Sequence, residues 1–182
     1  HAEDRPASAA GLAADLAAAI ARPAPPPRPA PEPQPEPSSN LPRPLTSFVG
    51  RAERVAEVVA SLGEARLVTL TGPGGIGKSR LALEAASIVA RDADGVRLVE
   101  FAPIADPEMV ALAMARALGV RAEPERPLAE TLGRALAGKR LLIVLDNCEH
   151  VVEACAALAR TLLEATAELR VLATSREVLG VA

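Results

Sequence analysis

Apolar positions along this chain follow two alternating rhythms. Val55, Val58, Val59 and Leu62 recur at helical spacing, and Gly63 is expected to close that helix. Leu67-Val68-Thr69-Leu70-Thr71 is a short apolar run and reads as a buried strand. A helix is predicted over Ser79 to Ala90, with Leu81, Ala85, Ile88 and Val89 turned inward, and a second strand over Val96 to Phe101. Asp106-Pro107, an N-cap followed by proline at the first helical position, opens a helix that should run to Leu118 and stop at Gly119. Leu128 to Ala137 predicts another helix, with Gly138 at its end. Leu141 to Leu145 is a third strand, apolar at every position; a helix over Val151 to Leu163 and a fourth strand over Leu169 to Ala173 follow. Continuous apolar strands alternating with helices predict an α/β fold. It should have three layers, α/β/α, around a mostly parallel sheet with right-handed crossovers.

The first 44 residues break this rhythm. Residues 1–21 are Ala-rich, with Leu12, Leu16 and Ile20 at i, i+4, i+8 and Ser8 as a candidate N-cap, and read as the last helix of an upstream domain. Residues 22–44 are dominated by proline, as in Pro25-Pro26-Pro27 and Pro31-Glu32-Pro33-Gln34-Pro35-Glu36-Pro37. Each proline removes an N–H and fixes φ, so neither helix nor sheet ladder is expected there. The segment reads as an extended spacer of roughly 3 Å per residue, or alternatively as a ligand for an SH3-type domain. The globular domain then spans residues 45–182. The chain starts at His1 and stops at Val181-Ala182, which suggests a piece of a longer polypeptide.

Composition narrows the function. Lys and Arg number 20 against 23 Asp and Glu, a net charge of −3. That balance excludes nucleic-acid or membrane-surface binding driven by bulk positive charge. The aromatic residues are only Phe48 and Phe101, too few for a base-stacking platform. No apolar run approaches the ~18 residues of a membrane helix, and the Ala-rich start lacks the positive n-region of a signal peptide, so no membrane partner is expected. Two cysteines make no disulfide framework, which points to a reducing, cytoplasmic setting. Cys148 and Cys155, with His150 between them, lack the spacing and fourth ligand of a zinc site; they read as a loop thiol and a helix-core thiol.

Chemistry concentrates at strand ends. Gly72-Pro73-Gly74-Gly75-Ile76-Gly77-Lys78-Ser79 matches the phosphate-loop pattern and lies between a predicted strand and a predicted helix. Glycines let the backbone curl so that successive N–H groups face one concavity, a nest for anionic oxygens. The following helix, which carries Arg80, adds its positive end. Lys78 should reach the β- and γ-phosphates, and the Ser79 hydroxyl should ligate Mg²⁺.

The third strand delivers Asp146 to the edge where ligands gather in such sheets, placed to hold the Mg²⁺ shell. The next residue is Asn147, which cannot accept a proton at neutral pH. Glu149 is the nearest carboxylate. It either orients or deprotonates an attacking water or complements the dipole of the next helix. Thr174-Ser175-Arg176 ends the fourth strand, and Arg176 is a candidate for the terminal phosphate. Lys78, Asp146, Glu149 and Arg176 are therefore the candidate catalytic set.

With these in place, the chain resembles the NB-ARC branch of the signal-transducing (STAND) P-loop ATPases, nucleotide switches related to the AAA+ class. More narrowly it is similar to the ATPase module of large bacterial transcriptional activators. The resemblance rests on Leu41 to Arg51, Leu70 to Glu84, Val144 to His150 and Val171 to Glu177, and it spans Leu41 to Ala182. It implies that Phe48, Val49, Gly50 and Arg51 form the loop beside the adenine base. It implies Lys78 and Ser79 for phosphate and Mg²⁺, Asp146 for Mg²⁺, and Arg176 as γ-phosphate sensor. It also implies a sheet in which the fourth strand lies between the first and third, with a fifth strand, a helical lid and a winged-helix part beyond residue 182. Two positions depart from the family pattern. Ala52 intervenes before Glu53, and Asn147 stands where relatives usually carry a second acid, which implies slow hydrolysis.

The expectation is an ATP/ADP-binding switch with weak, Mg²⁺-dependent ATPase activity, controlling a transcriptional regulator. Its partners would be nucleotide, other domains of the same polypeptide, and a nucleotide-dependent oligomer. DNA would be contacted only through domains outside this chain. The alternatives are a true turnover ATPase or kinase, for which no acceptor pocket is evident, and a scaffold that no longer binds nucleotide.

Overall fold

The computed structural model describes residues 38–42 and 50–181. The readings of an Ala-rich helix over residues 1–21, of a spacer over 22–44 except for residues 38–42, and of Phe48 and Val49 beside a base lie outside the described residues. Each predicted strand and helix from residue 52 onward is present. In chain order they are β1 (Ser38–Ser39), α1 (Ala52–Glu64), β2 (Leu67–Thr71), α2 (Lys78–Val89), β3 (Gly95–Glu100) and α3 (Met109–Leu118). Then follow α4 (Leu128–Leu136), β4 (Leu141–Asp146), a 3₁₀ turn (Cys148–His150), α5 (Val152–Ala165) and β5 (Arg170–Ser175).

The strands form one sheet in the order β1-β3-β4-β5-β2, and every pairing is parallel. β5 therefore lies between β2 and β4, the arrangement the resemblance implies. The period-2 alternation of the pleat sorts the apolar side chains to two faces. Leu141, Ile143, Leu145, Val171 and Ala173 pack under α3, α4 and α5. Val96, Leu98, Leu142, Val144 and Leu172 pack under α1 and α2. This is the three-layer α/β/α fold.

β4 is buried from Leu141 to Leu145, with Asp146 half-buried at its end. An all-apolar strand does not encode its own register by alternation. Its polar ends supply it here. Asp94 N–H donates to Arg140 O (2.8 Å) and Arg140 N–H to Asp94 Oδ2 (2.9 Å) at one end. Phe101 N–H donates to Asp146 O (2.9 Å) at the other. A one-residue slip would draw the Asp146 carboxylate into the sheet, at a desolvation cost the packing could not offset. The length of the apolar run thus sets where the acid emerges.

Three local expectations are corrected. First, Ser38–Ser39, within the proline-dominated span, does join a ladder, opposite Gly95 and Val96. Ser38-Ser39-Asn40 is free of proline, so its N–H groups are available. Asn40 extends the pairing with its side chain, donating from Nδ2 to Leu98 O (3.0 Å) and accepting from Leu98 N–H at Oδ1 (2.6 Å). Second, α1 runs through Gly63 to Glu64 and ends at extended Ala65, whose N–H donates to Ser61 O. Glycine costs about 1 kcal/mol inside a helix; the fully buried Leu62 beside it outweighs that. Third, Ile88 is 43% exposed. The stripe of α2 against the sheet is Ala82, Ala85, Ala86 and half-buried Val89, at i, i+3, i+4, i+7, and Ile88 lies about 100° off it.

Asp106 accepts from Glu108 N–H at Oδ1 (2.9 Å), a cap on the turn that leads into α3, and Gly119 ends that helix in the left-handed region.

Candidate functional site

β2 ends at Thr71, and the chain then turns through Gly72–Gly77 before α2 begins at Lys78. Pro73 to Ile76 are exposed at the C-terminal edge of the sheet. Two glycines here are required by geometry. Gly72 has φ +142°, and a Cβ on it would come within 2.6 Å of the Ile76 side chain. Gly77 has φ +86°, and a Cβ there would meet the Arg51 guanidinium at 3.2 Å. Among the described residues, the N–H groups of Gly74, Gly75 and Gly77 have no acceptor. Donors left open in a curled, exposed loop at a helix start form an anion nest.

Lys78 folds back over this loop. Its Nζ donates to Gly72 O (2.8 Å) and Pro73 O (3.0 Å). Two carbonyls thus hold the ammonium above the concavity, and an incoming anion has only to outbid neutral acceptors. Ser79 is exposed in the first turn of α2, and Arg80 pairs with Glu84 (3.2 Å). Arg51, at the start of α1, donates from Nη1 to Ile76 O (2.7 Å). Gly50 precedes it at φ +86°. An open cleft of about 910 Å³ lies between α1 and the loop, lined by Gly50, Arg51, Glu53, Thr71, Ile76 and Leu81.

The second half of the site is built on β4 and β5. Asp146 Oδ1 accepts from the Thr174 hydroxyl (2.6 Å), and the same oxygen of Thr174 accepts from Asn147 N–H (2.9 Å). Thr174 is 1% exposed. One buried hydroxyl therefore orients the carboxylate and the turn after it. Asn147 takes φ +60°, the only positive φ outside glycine among the described residues. Asparagine tolerates that region better than most side chains, which gives a backbone reason for its place after the acid. The turn brings Glu149 back to the sheet edge, where Oε1 lies 3.0 Å from Arg176 Nη2 and 3.9 Å from His150 Nε2.

Cys148 and Cys155 are both buried, and the Cys148 thiol points at Leu145 O (3.5 Å). A hydrogen bond with Cys155, and then burial, push the Cys148 thiol well above its usual range. His150 turns away to Glu149, so the three do not converge.

The structure brings Arg51 to the loop, Thr174 to Asp146, and Arg176 to Glu149. It does not join Lys78 or Ser79 to Asp146. β5 intervenes, and two strand spacings put roughly 10 Å between the ends of β2 and β4. Ser79 and Asp146 suit Mg²⁺: both offer hard oxygen, and among the described residues the Ser79 hydroxyl has no partner and only Oδ1 of Asp146 has one. Sequence reasoning missed two links. Thr174 was placed at the end of the fourth strand with no partner assigned, whereas its hydroxyl is committed to Asp146 and Asn147. Arg51 was read only as part of a base-side loop, whereas it also ties α1 to Ile76. A threonine at the end of the strand next to the acid was the available signal for the first. Nothing in the sequence marked the second.

Comparison with known proteins bears on the family and the fold. The chain is 49% identical over 123 residues to a Mycobacterium tuberculosis protein that carries the name of an HTH-type transcriptional regulator. The match covers 68% of this chain and 14% of that protein. It is also 42% identical over 141 residues to an uncharacterized protein of the same species, covering 77% of this chain and 36% of the relative. The chain thus spans a minor part of the curated relatives it matches. Among solved structures, Cdc6p from Pyrobaculum aerophilum aligns with a TM-score of 0.52 at 17% identity, over 75% of this chain and 41% of that one. The Aeropyrum pernix ORC2 protein, solved as ADPNP–ADP complexes, aligns with a TM-score of 0.51 at 16% identity, over 72% of this chain and 42% of that one. At such identities the likeness is one of fold. The sequence model of Novel STAND NTPase 1 matches residues 43–179, and with three-quarters of its length inside that match the chain belongs to this family of P-loop NTPases.

Proposed function

We propose that this chain is an ATP/ADP-binding switch with slow, Mg²⁺-dependent hydrolysis, of the NB-ARC type, set within a larger transcriptional regulator. The observation that carries the reading is the loop Gly72–Gly77, exposed from Pro73 to Ile76, with open N–H groups and Lys78 poised over it. In this reading the loop and Lys78 hold the phosphates, Ser79 and Asp146 hold Mg²⁺ by hard oxygen donors, and the cleft beside Gly50 and Arg51 receives the base. Mg²⁺ would draw charge from the terminal phosphate when bound. Asp146 is kept in place by Thr174, and Asn147 contributes no acid, which supports slow turnover. The regulator assignment draws on the names of the relatives. DNA contact belongs to domains beyond this chain, because its own charge is −3. A cytoplasmic setting and assembly on nucleotide binding complete the proposal.

The test is calorimetry with ATP on the parent and on Lys78→Ala, with circular dichroism to follow the fold. Binding should vanish in the variant while the spectrum stays. Equal ATP affinity in the two proteins would overturn the reading. Steady-state phosphate release should run well below ~1 s⁻¹, the low end of ordinary enzyme rates; a faster rate favours a turnover ATPase.

A further inference from the structure

Glu149 and Arg176 are two charged groups that the candidate site would use separately, yet they hold each other. Arg176 Nη2 lies 3.0 Å from Glu149 Oε1. The Glu149 side chain is 12% exposed and that of Arg176 64% exposed, so the carboxylate is the seated partner and the guanidinium the one with room to swing. Thr71 stands opposite Ser175 in the β2–β5 register. Arg176 therefore leaves β5 level with Gly72, the first residue of the loop, on a neighbouring strand about 4.8 Å away. One guanidinium thus has two anionic claimants: Glu149 on one side, and on the other whatever phosphate the loop receives. His150, 3.9 Å from the same Glu149 oxygen, is the other cationic candidate facing the carboxylate.

We propose that Glu149 is a positioning residue that competes with the terminal phosphate for Arg176, and so sets the preference of the site for a nucleoside triphosphate over a diphosphate. The inference rests on the nucleotide reading above. With a diphosphate bound, nothing draws Arg176 away, and the pair stays closed. A third phosphate presents more charge and a bidentate match to the guanidinium, and the pair opens. A carboxylate placed solely to complement the start of α5 would need no such partner.

The experiment uses the full chain and calorimetry with two probes, ADP and a non-hydrolysable ATP analogue. Glu149→Gln keeps the side-chain volume and removes the charge. Affinity for the ATP analogue should rise about two- to fivefold, the scale of a partly exposed ion pair, with ADP unchanged. Arg176→Gln, at an exposed position, should lower the analogue-to-ADP ratio. Glu149→Gln added to Arg176→Gln should change nothing further. Equal weakening of both nucleotides by Glu149→Gln marks a merely structural role and overturns the proposal, as does a gain that persists without Arg176. A parent chain that binds neither probe overturns the nucleotide reading itself, and the competition falls with it.

Discussion

Replacing Thr174 by Val isolates the single hydroxyl that ties β5 to the acid of β4. Valine nearly matches threonine in shape, so the core around this 1%-exposed residue keeps its volume. Two hydrogen bonds disappear: the 2.6 Å bond donated to Asp146 and the 2.9 Å bond accepted from Asn147 N–H. Losing a bond to a charged partner costs about 1.5–3 kcal/mol, and an N–H left without an acceptor about 1–3 kcal/mol. The two overlap, because one hydroxyl serves both, and about 2–4 kcal/mol is the net expectation. For a domain of this size each kcal/mol moves Tm by about 2–4 °C, so a fall on the order of 10 °C should follow. Thr174→Ser keeps the hydroxyl and loses one methyl, about 1 kcal/mol. Denaturant unfolding of parent, Ser and Val variants reads the difference, and the same proteins titrated with nucleotide at low and high Mg²⁺ read the effect on Asp146. The Val variant should lose Mg²⁺ sensitivity that the Ser variant retains. If Val proves no less stable than Ser, the hydroxyl does not carry the link and the reasoning fails.

Two further outcomes are expected. Gly77→Ala must hold alanine at φ +86° and crowd the Arg51 guanidinium, so it should destabilise by about 1–2 kcal/mol and loosen α1 from the loop, measurable as a lowered unfolding midpoint. The Cys148 thiol has its pKa raised in the folded chain, so it stays protonated where the unfolded thiol ionises. Its contribution is fully present below the unfolded value of ~8.5 and is lost as pH rises beyond it. Stability should therefore fall progressively as pH rises above about 8.5. Cys148→Ala should flatten that slope, and iodoacetamide should label the native parent only on unfolding.

The period of the apolar positions was sufficient for the α/β class, because runs such as Leu141 to Leu145 have no polar face to expose and must be covered on both sides. The curl of Gly72–Gly77 between β2 and α2 was legible for a related reason. Such a curl needs local backbone freedom, and glycines close in sequence display that directly. The edges of elements were less legible. Gly63 is a helix breaker by propensity, but Leu62 is packed at 0% exposure, and burial overrode the local preference. Ile88 lost its predicted place because the stripe of α2 that is buried runs through Ala82, Ala85 and Ala86, about 100° away from it.

What the sequence determined alone was which residues carry charge, curl or an apolar side chain, and in what order they reach the sheet edge. What only the tertiary structure decided was who meets whom across strands. Thr174 with Asp146, Arg176 with Glu149, Arg51 with Ile76 and Asn40 with Leu98 are separated by 25 to 58 positions along the chain. Such pairs depend on strand order and register. Those are properties of the whole sheet, fixed by burying both its faces at once, and no local window of sequence contains them.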